Sequence, residues 1–254
     1  MTVAGRVLRW DACANVRDLG GFETEDGGRT RHGAIVRADT TARLSDAGWA
    51  ALVDHGIRRI VDLRFQDERE ADPPRQLDVE VVHVSLLGER EGEYWTQIEA
   101  QLAVLEPADY LAWSYVEFLD RFRENFAAAL RAIADAPEGG VVVHCLGGKD
   151  RTGLVCALLL RNAGVPDEDV IADYALSEES LAEVHAAWMR DAATPEEREF
   201  RGKLGYAPAH VMRHVLATID ERYGGVPAYL EAAGLDESEI ARLRDRLRED
   251  DAAA

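Results

Sequence analysis

The sequence predicts an α/β protein in which strands and helices alternate over the first two thirds of the chain and helices alone follow. Strands are indicated by short runs of apolar, β-branched residues, of which residues 141–143 are the clearest. Helices are indicated by apolar residues spaced three and four apart, most clearly over residues 108–134. Because this alternation is typical of parallel sheets, we expect a small, mostly parallel central sheet flanked by helices.

The individual elements follow from periodicity and from capping signals. Ser45 is a favourable N-cap for a short helix, and Gly56 can supply the left-handed residue after its end. Asp236 and Glu239 form a capping box at the start of the last helix. Strands are predicted at residues 34–37, 57–63, 79–84 and 141–143, and helices at residues 45–55, 108–134, 152–162, 167–176, 180–190, 209–223 and from residue 236 onward.

The composition is that of an ordinary globular protein, and its charge limits the partners. The 254 residues include 29 Lys and Arg against 48 Asp and Glu, so the formal net charge is −19. Such acidity argues against sequence-independent nucleic-acid binding, because the bulk charge would not neutralise phosphates. No apolar run approaches the roughly 18 residues that a membrane span needs, and no signal-peptide pattern is visible. We expect one cytoplasmic domain over residues 1–254, although signal-independent secretion and the oligomeric state are left open.

The chemistry is concentrated in one loop, which follows the strand at residues 141–143. The loop reads HCLGGKDRTG, and it places Arg151 six positions after Cys145. A loop that enters a helix points unpaired backbone N–H groups at one spot, where the helix dipole also favours an anion. Gly147 and Gly148 permit the unusual backbone angles that such an anion nest requires.

The side chains of this loop suit chemistry on a phosphate ester. A cysteine held in an anion cradle is stabilised as the reactive thiolate, which makes Cys145 the candidate nucleophile. The planar fork of Arg151 matches two oxygens of a phosphoryl group. Thr152 can donate a hydrogen bond to the thiolate, and His144 is expected to order the loop rather than act as a base. The predicted phosphate-binding residues are Leu146, Gly147, Gly148, Lys149, Asp150, Arg151 and Thr152.

The loop resembles the active-site loop of cysteine-dependent phosphatases of the protein-tyrosine phosphatase superfamily. Other segments are similar to a bacterial subgroup, the atypical PtpB/LipA-type tyrosine and lipid phosphatases, and together they cover nearly the whole chain. They are NVRDLGG at residues 15–21, GAIVRAD at 33–39, GIRRIVDLR at 56–64, DYAL at 173–176 and YGGV at 223–226.

This resemblance implies a protein-tyrosine-phosphatase-like fold with a helical C-terminal part. It also implies a two-step hydrolysis of phosphomonoesters that uses no metal and no other cofactor. Cys145 would form a cysteinyl-phosphate, held by Arg151 and the loop amides, and water would then release inorganic phosphate.

Two residues compete for the role of general acid and base. Asp150 resembles the loop aspartate of myotubularin- and Sac-type phosphoinositide phosphatases, and we place it first. Asp62, at the end of the strand predicted over residues 57–63, is the other candidate, and its alternative role is a structural ion pair. Arg64 would then either pair with Asp62 or contact the substrate. Many tyrosine phosphatases carry the acid on a loop with a WPD-like motif, which is not found in this sequence.

Two further features bear on specificity. Lys149 lies four positions after Cys145, as in the phosphatase-and-tensin-type lipid phosphatases, where the lysine helps to hold extra ring phosphates. The alternative is a lysine that faces solvent. Residues 167–205 resemble the helical lid of the bacterial subgroup, and the alternative is an ordinary pair of core helices. Cys156 is expected to be an inert buried thiol.

The leading functional hypothesis is a phosphatase of phosphotyrosine, with phosphoserine and phosphothreonine as further substrates. A second hypothesis is a phosphoinositide or inositol-phosphate phosphatase, which the GKDR core favours and the acidic composition does not. A third is a catalytically inactive phosphate-binding module. The intact Cys145, Arg151 and Thr152 argue against this third hypothesis, because a pure binding module needs no reactive thiol.

Overall fold

The centre of the molecule is a five-stranded sheet in the computed structural model, which describes residues 5–70, 72 and 78–249. The strands are β1 (Arg17–Asp18), β2 (Ile35–Ala38), β3 (Ile57–Asp62), β4 (Glu80–His83) and β5 (Gly140–His144). Their order is β1-β2-β5-β3-β4. β1 runs antiparallel to β2, whereas β2, β5, β3 and β4 are mutually parallel. The predicted small, mostly parallel sheet is therefore confirmed.

The register of the sheet brings three strand ends to one edge. Ala38 of β2 and Asp62 of β3 both lie opposite His144 of β5. The residues that follow these strands therefore leave the sheet side by side. In open α/β sheets this carboxyl edge is where ligands bind.

Helices cover both faces of the sheet and continue alone after β5. They are α1 (Asp46–Asp54), α2 (Gln66–Glu70), α3 (Glu93–Val104), α4 (Pro107–Arg121), α5 (Arg123–Ala134), α6 (Asp150–Asn162), α7 (Asp167–Ser180), α8 (Ala182–Arg190), α9 (Pro195–Leu204), α10 (Ala209–Tyr223), α11 (Val226–Ala232) and α12 (Glu237–Leu247). One face of the sheet packs against α1 and the segment around Trp10, and the other packs against α5 and α6. Over the described part of the chain, none of these helices has the length and apolar character to cross a membrane.

Capping signals correctly located the first and last helices. Ser45 Oγ accepts a hydrogen bond from the amide of Gly48 at 3.1 Å, and Gly56 has a φ of 88°. Asp236 and Glu239 form the reciprocal capping box of α12. The local signals at both positions are therefore confirmed.

The single helix predicted over residues 108–134 is wrong, because the chain breaks at Phe122. This residue has φ −104° and ψ 26°, and it separates α4 from α5. Its ring lies 5.6 Å from the ring of Tyr94 and 6.4 Å from that of Trp95, both on α3. The apolar period continues through the break because both helices bury residues in the same core. Periodicity alone therefore could not indicate the break.

The segment predicted as a helical lid has two different parts. α7 is a core helix that buries Val170, Ile171 and Tyr174. α8 and α9 form an outer hairpin without a buried residue. The alternative of a core helix is therefore confirmed for α7, and the lid stays a prediction for α8 and α9.

Candidate active site

The loop HCLGGKDRTG leaves β5 at the carboxyl edge of the sheet and enters α6, as predicted. Cys145 follows the strand directly and is 2% exposed. Gly148 has a φ of 63°, and a Cβ there would lie 2.3 Å from the carbonyl oxygen of Ala38. A Cβ on Gly147 would meet only Leu181, at an ordinary 3.7 Å. The predicted need for glycine is therefore confirmed at Gly148 and not at Gly147.

Neighbouring groups bind the carbonyl oxygens of this loop. The amide of Thr40 donates to the carbonyl of Leu146 at 3.0 Å. Asn15 Nδ2 donates to the carbonyl of Gly147 at 3.0 Å and to that of Gly148 at 3.1 Å. These hydrogen bonds hold the loop carbonyls towards the body of the protein.

The loop amides have a different environment. Among the described residues, the backbone N–H groups of residues 146–152 have no hydrogen-bond acceptor. We call these amides, together with the positive end of α6, the cradle; such an arrangement favours the binding of an anion. Thr152 Oγ1 is buried and has no hydrogen-bond partner within the same described residues. The predicted hydrogen bond from Thr152 to the thiolate is therefore not formed in this arrangement.

Arg151 is held by a carboxylate that the sequence did not indicate. Its NH1 and NH2 donate to the two oxygens of Glu68 at 2.6 and 3.0 Å. The guanidinium carbon also lies 4.8 Å from the ring centroid of Phe65. Burial disfavours the charge of Arg151, but Cys145 and Glu68 outweigh this and raise its pKa above the ordinary value. Glu68 lies on the short acidic helix α2, just after the GIRRIVDLR segment, and that position is the one sequence signal that could have indicated it.

Asp62 forms a buried ion pair. Arg64 donates to it from Nε at 3.0 Å and from NH2 at 2.8 Å, and Arg69 Nε donates at 3.1 Å. Burial opposes ionisation, but the hydrogen bonds from Arg64 and the nearby His144 hold the pKa of Asp62 well below its usual range. Arg64 also donates to Asp72 at 3.0 Å. This geometry favours the ion-pair alternative for both Asp62 and Arg64, because a carboxylate that stays ionised is a poor proton donor.

Asp150 lies in the first turn of α6 and remains accessible. Its side chain is 42% exposed, and Lys149 Nζ lies 3.4 Å from its Oδ1. The hydroxyl of Tyr115 donates to the same carboxylate and lies 3.0 Å from the hydroxyl of Tyr174. Burial and the Asp150 charge raise the pKa of Tyr115 well above its ordinary value, so the phenol stays protonated as a donor. Asp150 is therefore oriented at the rim of the cradle, where proton exchange with solvent is open.

His144 is arranged to order the loop. Its Nδ1–H donates to the carbonyl of Cys145 at 3.0 Å, and Nε2 lies 3.4 Å from the hydroxyl of Thr41. Burial lowers the pKa of His144 below its ordinary value, which favours the neutral ring. These contacts agree with the predicted ordering role.

Lys149 is buried, with 5% of its surface exposed, which contradicts the alternative of a lysine that faces solvent. Its Nζ donates to the main-chain carbonyls of Leu204 at 2.5 Å and Tyr206 at 2.9 Å. The ammonium is thus bound to the end of the outer hairpin, and its contact with substrate phosphates stays a prediction. The carbonyl of Leu204 attracts it because Leu204 is the last residue of α9, where the helix dipole is negative.

The other two cysteines have no part in the cradle. Cys156 is buried in α6, and burial raises its pKa to about 12, which confirms the predicted inert thiol. Cys13 is half-buried, and burial together with Asp39 raises its pKa as well.

Comparison with known proteins shows the family of the chain. Residues 8–249 match the model of the tyrosine phosphatase family. A tyrosine-protein phosphatase of Nostoc commune is 32% identical over 223 residues, which cover 84% of this chain and 74% of that protein. The triple specificity protein phosphatase PtpB of Mycobacterium tuberculosis is 28% identical over 268 residues, which cover 91% of this chain and 95% of that protein. The resemblance found in the sequence is confirmed: the chain belongs to the tyrosine phosphatase family and is a protein-tyrosine phosphatase.

Proposed function

We propose that the protein hydrolyses phosphotyrosine with Cys145 as the nucleophile. The observation that carries this proposal is the environment of the loop: its carbonyls are bound, whereas the amides of residues 146–152 have no acceptor among the described residues. A thiolate at the base of such a cradle is both stabilised and aimed at the phosphorus of a bound ester. No other described segment combines a buried cysteine with a cradle of this kind.

In the first step the Cys145 thiolate attacks phosphorus in line. The S–P bond forms as the bond from phosphorus to the tyrosyl oxygen breaks, and the loop amides and Arg151 stabilise the charge on the equatorial oxygens. Arg151 has five N–H donors, and Glu68 accepts from two of its nitrogens, so donors remain for the phosphoryl group. Asp150 in its acid form donates a proton to the leaving oxygen.

In the second step water attacks the cysteinyl-phosphate. The Asp150 carboxylate accepts a proton from this water, the S–P bond breaks, and inorganic phosphate and the Cys145 thiolate are released. The same residue thus acts first as an acid and then as a base.

The outer hairpin α8–α9 is proposed to act as a lid over the cradle. Leu181, which precedes α8, lies 3.7 Å from the position that a Cβ on Gly147 would take, so the hairpin begins directly above the loop. The bonds from Lys149 to the carbonyls of Leu204 and Tyr206 fix its other end. A lid of this kind restricts access to substrates that can displace it.

Phosphoserine and phosphothreonine are proposed as further substrates, since one relative is named a triple specificity phosphatase. Phosphoinositides and inositol phosphates are less favoured, because Lys149 is engaged with the hairpin. An inactive phosphate-binding module is the remaining alternative.

The test is a substrate panel on wild type, Cys145→Ser, Asp150→Asn and Asp62→Asn. We expect release of phosphate from a phosphotyrosine peptide by wild type, and none by Cys145→Ser. Asp150→Asn should reduce kcat by about 10²-fold or more, with a smaller loss on p-nitrophenyl phosphate, whose leaving group needs less protonation. Asp62→Asn should lower the melting temperature clearly and change kcat little.

Two outcomes would reject parts of this proposal. A wild-type protein that binds phosphate but releases none from phosphotyrosine, phosphoserine or phosphoinositide substrates would be a binding module. Equal losses for Asp150→Asn on phosphotyrosine and on p-nitrophenyl phosphate would exclude Asp150 as the acid.

A further inference from the structure

Four charged side chains lie together behind the loop and take no part in the chemistry described so far. They are Arg6, Arg17, Arg37 and Asp173, each at most 5% exposed, and we call them the Asp173 cluster. The carboxylate accepts from Arg6 NH1 at 2.9 Å, from Arg17 Nε at 3.3 Å and from Arg37 NH1 at 2.6 Å. Three cations thus surround one anion, which leaves an excess of positive charge in the interior.

This cluster reaches the phosphate loop through Arg37. NH2 of Arg37 donates to the carbonyl of Gly148 at 2.7 Å, while NH1 of the same guanidinium is bound to Asp173. Arg17 NH1 donates to the side-chain oxygen of Asn15, whose Nδ2 binds the carbonyls of Gly147 and Gly148. The carboxylate of Asp173 therefore fixes, in two steps, the loop carbonyls that must face away from the substrate.

A nearby anion would stabilise the excess positive charge of the cluster. Buried ions are costly unless they are paired, and one carboxylate does not balance three guanidinium groups. Burial, with Arg37 nearby, lowers the pKa of Arg17 to about 10, although Asp173 opposes the shift. Burial also disfavours the Arg37 charge, but Asp173 and the two cysteines Cys156 and Cys145 outweigh it and raise the pKa of Arg37. Because Arg37 donates to the carbonyl of Gly148, an anion bound by the amides on the other side of this loop is the additional partner for the cluster.

Other charged groups lie around the loop and must be separated from Arg37 in any test. Arg151 interacts with Cys145 and has Glu68 and Asp150 beside it, and His144 has Asp62, Arg64 and Asp39 nearby. Arg37 differs from these groups, because it lies behind the loop and donates to a loop carbonyl.

We infer that Arg37, anchored by Asp173, is a positioning residue for the phosphate loop that also stabilises the Cys145 thiolate and the bound phosphoryl group from behind. Its hydrogen bond to Gly148 keeps the carbonyl turned towards the body of the protein and the amides turned towards the anion. Its buried charge acts across the loop through a medium of low polarity, where charge interactions are stronger than in water. This inference rests on the proposed function only in that Cys145 is taken as the reactive thiol.

The test measures Cys145 directly. Alkylation by iodoacetamide is followed by mass spectrometry of the peptide that contains Cys145, as a function of pH and of added inorganic phosphate. We expect Arg37→Gln to move the midpoint of the alkylation curve up by about one pH unit and to weaken protection by phosphate about tenfold. Arg37→Lys keeps a charge but cannot bind Asp173 and Gly148 at once, so phosphate protection should weaken while the midpoint moves by less than about 0.3 unit.

Arg6→Gln is the matched control, because Arg6 binds the same carboxylate without touching the loop. It should lower the melting temperature but leave the midpoint and the phosphate protection near their wild-type values. If circular dichroism shows that Arg37→Gln does not fold, Arg37→Lys and Asn15→Ala test the inference instead. Each should weaken the protection of Cys145 by phosphate at least about threefold. Folded Arg37 variants with wild-type alkylation and protection, or an Arg6→Gln variant with equal effects, would overturn the inference.

These outcomes separate the inference from the proposed function. A wild-type protein that is protected by phosphate but hydrolyses no ester would reject the proposed function and leave the role of Arg37 measurable. A wild-type protein that hydrolyses phosphotyrosine, with Arg37 variants unchanged in both readouts, would reject the inference alone.

Discussion

Replacing Gly148 with alanine should destabilise the whole protein, because two separate costs coincide at this residue. Its φ of 63° lies in the left-handed region, where an L-residue costs about 1–2 kcal/mol. The new Cβ would also lie 2.3 Å from the carbonyl oxygen of Ala38 and 2.6 Å from the amide nitrogen of Asp39, so the loop or β2 must move. Overpacking of this kind costs about 1–3 kcal/mol. The sum is about 3 kcal/mol, with a range of about 2–5 kcal/mol.

The neighbouring glycine provides the matched control. Gly147 is outside the left-handed region, and its Cβ would make an ordinary contact of 3.7 Å with Leu181. Gly147→Ala should therefore change the free energy of unfolding by no more than about 1 kcal/mol. The two substitutions add the same methyl group at adjacent positions of one loop. The added group is therefore the same, and only its surroundings and the backbone conformation differ.

Thermal unfolding followed by circular dichroism measures the difference. For a chain of this size, 1 kcal/mol corresponds to about 2–4 °C, so Gly148→Ala should melt about 6–12 °C below wild type. It should also lose protection of Cys145 by phosphate, since the Gly148 carbonyl can no longer keep both of its hydrogen bonds. Equal melting temperatures for the two variants would refute the geometric reasoning.

Three further predictions concern the surroundings of the cradle. Glu68→Gln should lower kcat/KM at neutral pH by about tenfold or more, because it removes the charge that orients the buried Arg151. His144→Gln should remove a pH dependence of stability: its folded pKa is lowered below about 6.5, so only the unfolded state takes up a proton there, and wild-type stability falls as pH drops below about 6.5. Lys149→Met should release the outer hairpin, so that thermolysin cleaves between α8 and α9 at least about threefold faster.

Each of these three has its own check. For Glu68→Gln, steady-state kinetics on p-nitrophenyl phosphate are compared with Glu70→Gln on the same helix, and similar losses would reject an orienting role. For His144→Gln, the free energy of unfolding is measured in urea near pH 5 and pH 7. A variant whose stability changes between these two pH values as much as that of wild type would show that the histidine is not responsible. For Lys149→Met, Lys203→Met is the control, since Lys203 pairs with Glu199 on its own helix. Equal cleavage of both lysine variants would show that Lys149 does not fasten the hairpin.

The sequence predicted those parts of the site that are close together along the chain. Cys145, Gly148 and Arg151 lie within seven positions, and their strand–loop–helix setting can be recognised from local patterns alone. Glu68 lies 83 positions before Arg151, and Asp173 lies 136 positions after Arg37. Such pairs depend on the packing of the sheet against α2 and α7, and no local spacing indicates them.

Main-chain partners were beyond prediction for a different reason. Lys149 binds two carbonyl oxygens, which every residue carries, so no residue type marks them. The break at Phe122 likewise follows from contacts with α3, which was not predicted. In both places tertiary contacts select one of several local structures that the sequence pattern alone does not distinguish.

The position of β5 between β2 and β3 has a consequence for the order of folding. During synthesis the four other strands emerge before residues 140–144, and β2 and β3 cannot complete the sheet because each pairs with β5. In the register of the sheet, Val142 of β5 pairs with Val36, 106 positions earlier, and with Ile60, 82 positions earlier, and contacts of such sequence separation form slowly. Insertion of β5 also seats Gly148 against Ala38. In refolding, helical signal should therefore return first, and phosphatase activity only when the last central strand is in place.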